Sequence, residues 1–140
     1  MNPTQALQAG CEILDAVLPP HGFTRLPIES GRSSGGDFAR TEYLRGNRRL
    51  ELHFRGSLGL VAYHVGAVAL PHERYMRAVL GRRGANQYPG FSADPLDGFR
   101  HLRHDLERYC TEFLNGSDEA FERIADQAPS PVTGFKGLSA

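Results

Sequence analysis

No apolar run in this sequence approaches the roughly 18 consecutive residues that a membrane-spanning helix requires. The first 20 residues contain neither Lys nor Arg, nor an uninterrupted apolar core of the signal-peptide kind. A soluble, cytoplasmic protein is expected. Cysteine is scarce as well: Cys11 and Cys110 are the only two, and both fall on apolar faces of predicted helices, where a reduced thiol behaves as a small hydrophobe. A disulfide scaffold is therefore not expected, and a chain of 140 residues buries enough surface to fold without one. Lysine is nearly absent. Of 16 basic residues only Lys136 is Lys, a ratio that base composition of the genome can produce by itself.

Charge is balanced in total and divided along the chain. Residues 21–83 hold eleven Arg against five acids, and residues 94–126 hold nine acids against four Arg. A nucleic-acid binder usually carries a basic surplus over its whole domain, because phosphate neutralisation supplies most of its affinity. That surplus is only local here, so nucleic acid is disfavoured as a partner.

The chain reads as one domain over residues 1–128, followed by a polar, Gly- and Pro-containing tail at 129–140. Asn2, Pro3 and Gln5 have the order of an N-cap, first-turn proline and capping-box partner, and Leu7, Cys11, Leu14 and Leu18 follow at helical spacing. Pro19-Pro20 ends that helix. Phe23–Ile28 reads as a short edge strand, and Ser30–Gly36 as a loop. Phe38–Arg45, Arg48–Arg55 and Leu58–Val65 alternate as strands, joined by Gly46-Asn47 and Gly56-Ser57, which suit two-residue hairpin turns. Pro71 is placed to open a helix running to Leu80. A loop through Ser92 follows, with Tyr88 and Phe91 expected to plug the core. Asp94 and Pro95 then announce a long helix whose stripe is Leu96, Phe99, Leu102, Leu106, Tyr109 and Phe113, and Ser117 caps a last one. The expected fold is α+β: two layers, an antiparallel β-meander of about four strands, and helices packed on one face.

Those turns place Tyr43 opposite Leu50, Leu50 opposite Tyr63, and Leu52 opposite Val61. One face then carries Ala39, Thr41, Tyr43, Leu50, Leu52, Phe54, Val61, Tyr63 and Val65. The other carries Arg40, Glu42, Arg49, Glu51, His53, Arg55 and His64, bordered by Leu44, Leu58 and Leu60. Arg offers planar, bidentate contacts to carboxylates, and leucines offer desolvated area, so Arg40, Arg49, His53, Arg55, His64, Leu58 and Leu60 form a candidate protein-binding surface. The same face can also be merely solvated, since antiparallel sheets commonly leave one side in water. Self-association through it stays open. The alternative reading is a small hydrolase or nuclease-like enzyme with His53 or His64 as base, Glu51 or Glu42 as acid, and Arg40 or Arg49 at an oxyanion; no nucleophile sits on a recognisable elbow, and no catalytic residue is assigned.

Weaker signals lie outside this face. His101 and His104 have a metal-ligand spacing on the long helix but no third ligand, His72-Glu73 reads as a helix start, and Ser30–Gly36 lacks the ending of a phosphate-binding loop. No metal or cofactor is expected. The segments HGF, LELHFRGSLGLVAYHVG, QYPGFS and FRHLRHDLERYCTEFLNG, within residues 5–116, together resemble small uncharacterised bacterial α+β proteins, some of them similar to immunity proteins that neutralise secreted toxins. The resemblance implies a cytosolic, non-enzymatic binding protein. Immunity proteins often meet their toxin through an acidic patch, whereas here the acids gather in the C-terminal helices and the sheet face is mixed.

Overall fold

The computed structural model describes residues 1–82 and 84–128, so the tail expected at 129–140 lies outside the described residues. Helix α1 spans Pro3–Leu14, and a 3₁₀ turn at Pro19–His21 leads into strand β1, Thr24–Arg25. Then come β2 (Glu29–Ser33), β3 (Gly36–Arg45), β4 (Arg48–Phe54), β5 (Leu58–Val65) and β6 (Val68–Pro71). Helices α2 (His72–Leu80), α3 (Asp97–Tyr109), α4 (Thr111–Asn115) and α5 (Asp118–Gln127) complete the order. The sheet is antiparallel and has six strands rather than four: β3, β4, β5 and β6 follow in chain order, and β1 and β2 share the outer edge of β3. Among the described residues no helix is long and apolar enough to cross a membrane.

The two additional strands are edge strands, which explains how they escaped the pattern. Of the strand expected at Phe23–Ile28, only Thr24 and Arg25 pair, with Leu44 and Tyr43. Pro27 has no N–H for the ladder, and the chain leaves the edge there before pairing again from Glu29 to Ser33. The expected Ser30–Gly36 loop is thus mostly β2. Its residues are small, polar and exposed, so it is held by backbone bonds without any inward apolar alternation to advertise it. Pro71, expected to open a helix, instead ends β6 on the other edge, with extended backbone, and serves as the N-cap position of α2.

The caps expected at Asn2 and Ser117 form, whereas the long helix begins at Asp97 with Leu96 in the cap position and no side-chain cap, and not at the expected Asp94-Pro95. Asn2 and Gln5 form both bonds of the capping box, at 2.8 and 3.0 Å. The helix stops at Leu14 rather than Leu18, and Val17 and Leu18 reach the core from the turns beyond it. The long stripe ending in Phe113 is carried by two helices, because Cys110 leaves helical geometry between α3 and α4. Both cysteines are buried free thiols.

All the expected apolar sheet residues are buried in one continuous core. The expected register holds at Tyr43–Leu50, Leu50–Tyr63 and Leu52–Val61. The cover is shared differently: α1 lies on β3, and α3 packs against α1, reaching the sheet where Phe99 stacks on Phe54 at 5.9 Å between ring centroids. That packing depends on Gly10, since a β-carbon there would overlap the Phe99 ring. Gly10→Ala therefore sets a helix-propensity gain of about 1 kcal/mol against an overpacking cost of about 1–3 kcal/mol. A lower denaturation midpoint is expected, and Phe99→Leu in the same chain should recover part of it; a raised midpoint would refute the close contact.

A charged side chain, Arg48, also reaches this core. Arg48, only 5% exposed, sits on the apolar face of β4 and donates to the Glu112, Phe113 and Gly116 carbonyls at 2.9, 2.6 and 2.5 Å, with Asp118 at 3.1 Å. The Glu112 carbonyl also accepts from the Gly116 N–H at 3.0 Å, whereas Phe113 and Gly116 are carbonyls that the end of α4 leaves open, and a guanidinium answers them with several donors at once. Arg45 adds bonds to the Leu114 and His21 carbonyls at 2.7 and 2.6 Å and lies over the Phe23 ring.

Candidate functional site

Strand alternation raises Arg40 and Glu42 from β3, Arg49, Glu51 and His53 from β4, and His64 from β5 on the side away from the helices. The register makes Arg40 face His53, Glu42 face Glu51, and Arg49 face His64. Two carboxylates directly opposite would repel, so the surrounding cations decide the arrangement. Glu51 Oε2 accepts from His53 Nε2 and Glu51 Oε1 from His64 Nε2, both at 2.9 Å. Arg49 Nη2 lies 3.1 Å from His64 Nδ1, and a guanidinium can only donate, so in this arrangement Nδ1 accepts and Nε2 carries the proton given to Glu51. The other Arg49 nitrogen, Nη1, forms an ion pair with Glu42 Oε2 at 3.0 Å without hydrogen-bond alignment. Arg40 donates to Glu29 at 3.3 Å and stands 3.9 Å from both Glu42 and Glu51. Its Nε is buried and has no hydrogen-bond partner among the described residues.

This face is half-buried rather than washed by solvent; the Glu51 side chain is only 20% exposed. Burial pushes the Glu51 carboxyl up, but the hydrogen bonds from His64 and His53 lead the causes that outweigh it and hold the group below the ordinary carboxylate range.

Two of the expected site residues stand elsewhere. The β4–β5 connection runs through Arg55, Gly56 and Ser57, with Arg55 N–H bonded to the Ser57 carbonyl at 3.1 Å, so Arg55 is in the turn and not on the strand. A bulge follows: His53 pairs with Leu60 while Phe54 pairs with Leu58, leaving Gly59 as the extra residue. Leu58 is thereby rotated into the core at 4% exposure, and it is corrected out of the binding surface. Leu60 remains outside at 37%. Arg55 stays exposed, donates to the Gly36 carbonyl at 2.8 Å, and lies 5.6 Å over the Phe38 ring. Arg40, His53, Arg55, Phe38 and Leu60 line a cleft of about 540 Å³ at this end of the face, and no acidic side chain lines it.

A second polar cluster was missed from the sequence. Asp105 is 0% exposed and accepts four hydrogen bonds: His72 Nε2 and Tyr88 N–H at 2.9 Å on Oδ2, Gln87 N–H at 2.7 Å and His104 Nδ1 at 2.9 Å on Oδ1. With Nε2–H given to Asp105, His72 Nδ1 accepts from the Tyr63 hydroxyl at 2.7 Å, and that oxygen lies 3.5 Å from the Cys110 thiol. Burial drives the Asp105 carboxyl up, and the four donors reverse it to a net depression. Burial pushes the Tyr63 hydroxyl and the Cys110 thiol far up, so both stay protonated. In the sequence His72-Glu73 has only the form of a helix start, and the partner of His72 lies 33 residues away; the signal available is a lone Asp on the buried side of α3. The geometry makes this a clasp that ties the 84–96 loop to α2 and α3.

His101 and His104 turn to different partners, the Pro89 carbonyl and Asp105, and among the described residues no group of three or more His, Cys, Asp or Glu is arranged to hold a metal. Tyr88 plugs the core as expected and donates to the Leu58 carbonyl at 2.5 Å; Phe91, expected beside it, is fully exposed. A groove of about 590 Å³ between α1 and Leu26–Ile28 is lined by Gln5, Gln8, Glu12 and Arg25 and gathers no comparable cluster. Comparison with protein-family models, curated proteins and solved structures finds no match for this chain. The functional reading therefore rests on the geometry of the site.

Proposed function

We propose that this protein is a non-enzymatic protein-binding module whose recognition surface is the open face of β3, β4 and β5. The observation that carries this reading is the mutual ordering of the face: both Glu51 oxygens are taken by His53 and His64, and Arg49 is shared between His64 and Glu42, while Arg40 Nε and Glu42 Oε2 stay without hydrogen-bond partners among the described residues. Charges held by one another on rigid strands have already lost their rotamer freedom, so a partner meets an ordered, half-desolvated array. Arg40, Arg49, His53, Arg55 and His64 supply directed polar contacts, and Leu60 supplies apolar area at the rim. The immunity-protein resemblance makes a secreted toxin the partner class to try first.

The test is affinity capture from source-cell lysate, quantified by mass spectrometry. An Arg40→Glu, Arg49→Glu, Arg55→Glu variant and an Arg103→Glu, Arg108→Glu control on α3 are compared with the wild type, each folded by circular dichroism. One stoichiometric protein should be kept by wild type and control and weakened by tenfold or more in the sheet variant, which is about 1.4 kcal/mol or more. Equal retention by the sheet variant, or no retained protein at all, would sink the reading.

A further inference from the structure

We infer that this chain pairs with a second copy of itself, with Phe91 of each protomer seated in the cleft at the turn end of the other's open sheet face. The inference rests on the protein-binding reading of that face and names an occupant for one part of it.

The first observation is a fully exposed aromatic on an immobilised loop. Single exposed apolar residues are ordinary, but the backbone on both sides of Phe91 is tied down. Asp105 holds the N–H groups of Gln87 and Tyr88, the Tyr88 hydroxyl bonds the Leu58 carbonyl, and His101 Nδ1 meets the Pro89 carbonyl at 3.1 Å. Beyond Phe91, Ser92 Oγ donates to Asp97 at 2.5 Å and accepts from Asp94 N–H at 3.0 Å. Gly90, at φ 68°, presses against His101 so closely that a β-carbon there would overlap the imidazole. An anchor presented this way loses little further freedom on docking.

The second observation is a receptor of matching character on the same chain. The cleft has Phe38 and Leu60 as apolar walls and the guanidinium groups of Arg40 and Arg55 beside His53 at its rim; no acid is among its described lining residues, and Glu29 and Glu51, which bond Arg40 and His53, lie outside that lining. Its volume of about 540 Å³ accommodates a phenyl ring. The Arg55 guanidinium already lies over one ring, Phe38, and a second ring entering beside it adds another cation–π contact. The loop that carries Phe91 goes on to Asp94 and Asp97, carboxylates shared with Arg100 yet still 50% and 33% exposed, so negative charge accompanies the knob toward the positive rim.

The third observation is position. Gly59 and Leu60 line this cleft and also the neighbouring recess that reaches Tyr88 and Pro89, two residues before Phe91. Knob and cleft therefore lie side by side on one surface. An isologous two-fold contact needs such a self-complementary patch, because each half of the interface must supply what the other receives.

Sedimentation velocity over a concentration series of the full chain tests this. A dimer is expected for the wild type, with self-association weakened by roughly tenfold or more in Phe91→Ser and in Leu60→Asp, and unchanged in Val79→Ser, an exposed apolar control on α2. Mixing Phe91→Ser with Leu60→Asp leaves one intact knob and one intact cleft, so the mixture should dimerise more than either variant alone. Both substitutions are at exposed positions, and circular dichroism checks that the variants fold. A wild type that sediments as a monomer throughout, or a dimer indifferent to Phe91→Ser, overturns the pairing. If lysate capture still retains a partner through the sheet face, only the self-pairing has failed. A dimer lost on Phe91→Ser without any captured partner supports the self-pairing and removes the heterologous partner.

Discussion

Asp105→Ala is expected to lower stability by several kcal/mol, the cost of removing a buried carboxylate that accepts four hydrogen bonds. The substitution leaves His72 and the Tyr88 N–H buried without their acceptor, at a desolvation penalty of about 1–3 kcal/mol each, and also removes the acceptor of the part-buried Gln87 N–H and His104. Total stability of a domain is about 5–15 kcal/mol, so this single change can remove most of the margin. The measurement is a urea denaturation curve, joined to amide hydrogen exchange at Gln87 and Tyr88, which should accelerate ahead of the sheet amides. A loss below about 1 kcal/mol, within the range of an ordinary surface substitution, would refute the clasp.

The same carboxylate sets a pH dependence. Its folded pKa is depressed below the unfolded value of about 3.9. The stabilisation it provides is therefore present above the unfolded value and lost as pH falls through the folded one, because the unfolded state then binds the proton more readily. Glu51 is depressed in the same direction and acts in the same acid range. Wild-type stability should fall steeply on acidification below about pH 4, and Asp105→Asn, which keeps the shape but has no carboxyl to titrate, should fall less steeply. Identical acid slopes for the two proteins would remove Asp105 from the account.

Arg48→Ala is the second large effect, about 1–3 kcal/mol for each buried carbonyl left without a donor, because Phe113 and Gly116 at the end of α4 depend on the guanidinium while Glu112 keeps the Gly116 N–H. Arg48→Lys should recover little of it. A compact ammonium cannot span carbonyls that a planar guanidinium reaches together. Asp118, the fourth partner, is exposed at 44%, so Asp118→Ala should move the thermal midpoint far less than either Arg48 variant. Equal shifts for Asp118→Ala and Arg48→Ala would mean that the surface ion pair, and not the carbonyl cap, is what Arg48 contributes.

Much of the sheet was readable because local rules compounded. Gly46-Asn47 sets a tight turn, side chains alternate on either side of it, and Tyr43, Leu50 and Tyr63 then have to share the buried face. The register decided which charges share the open face, so Arg40, Arg49, His53 and His64 came out together. Where a local rule failed, a neighbour had overridden it. A three-residue turn and a bulge at Gly59 rotate Leu58 inward, although its hydropathy suits a rim as well as a core. β2 was invisible for a different reason: an exposed edge strand needs only backbone pairing, and backbone hydrogen bonds leave no periodicity in the side chains; β6 does alternate, with Leu70 buried, but over only four residues.

The amino-acid sequence by itself determined the α+β class, the caps of α1 and α5, the central register and the division between an apolar and a charged sheet face. Each of these follows from interactions within a few residues or across one hairpin, where spacing along the chain is a direct measure of distance. The tertiary structure alone decided that Arg48 caps a helix 64 residues away, that Asp105 clasps His72 and the 84–96 loop, and that Tyr88 is buried while Phe91 is not. Those outcomes depend on which helix ends and loops the folded core brings beside one another, and such a buried polar group finds its partners only after the elements have packed.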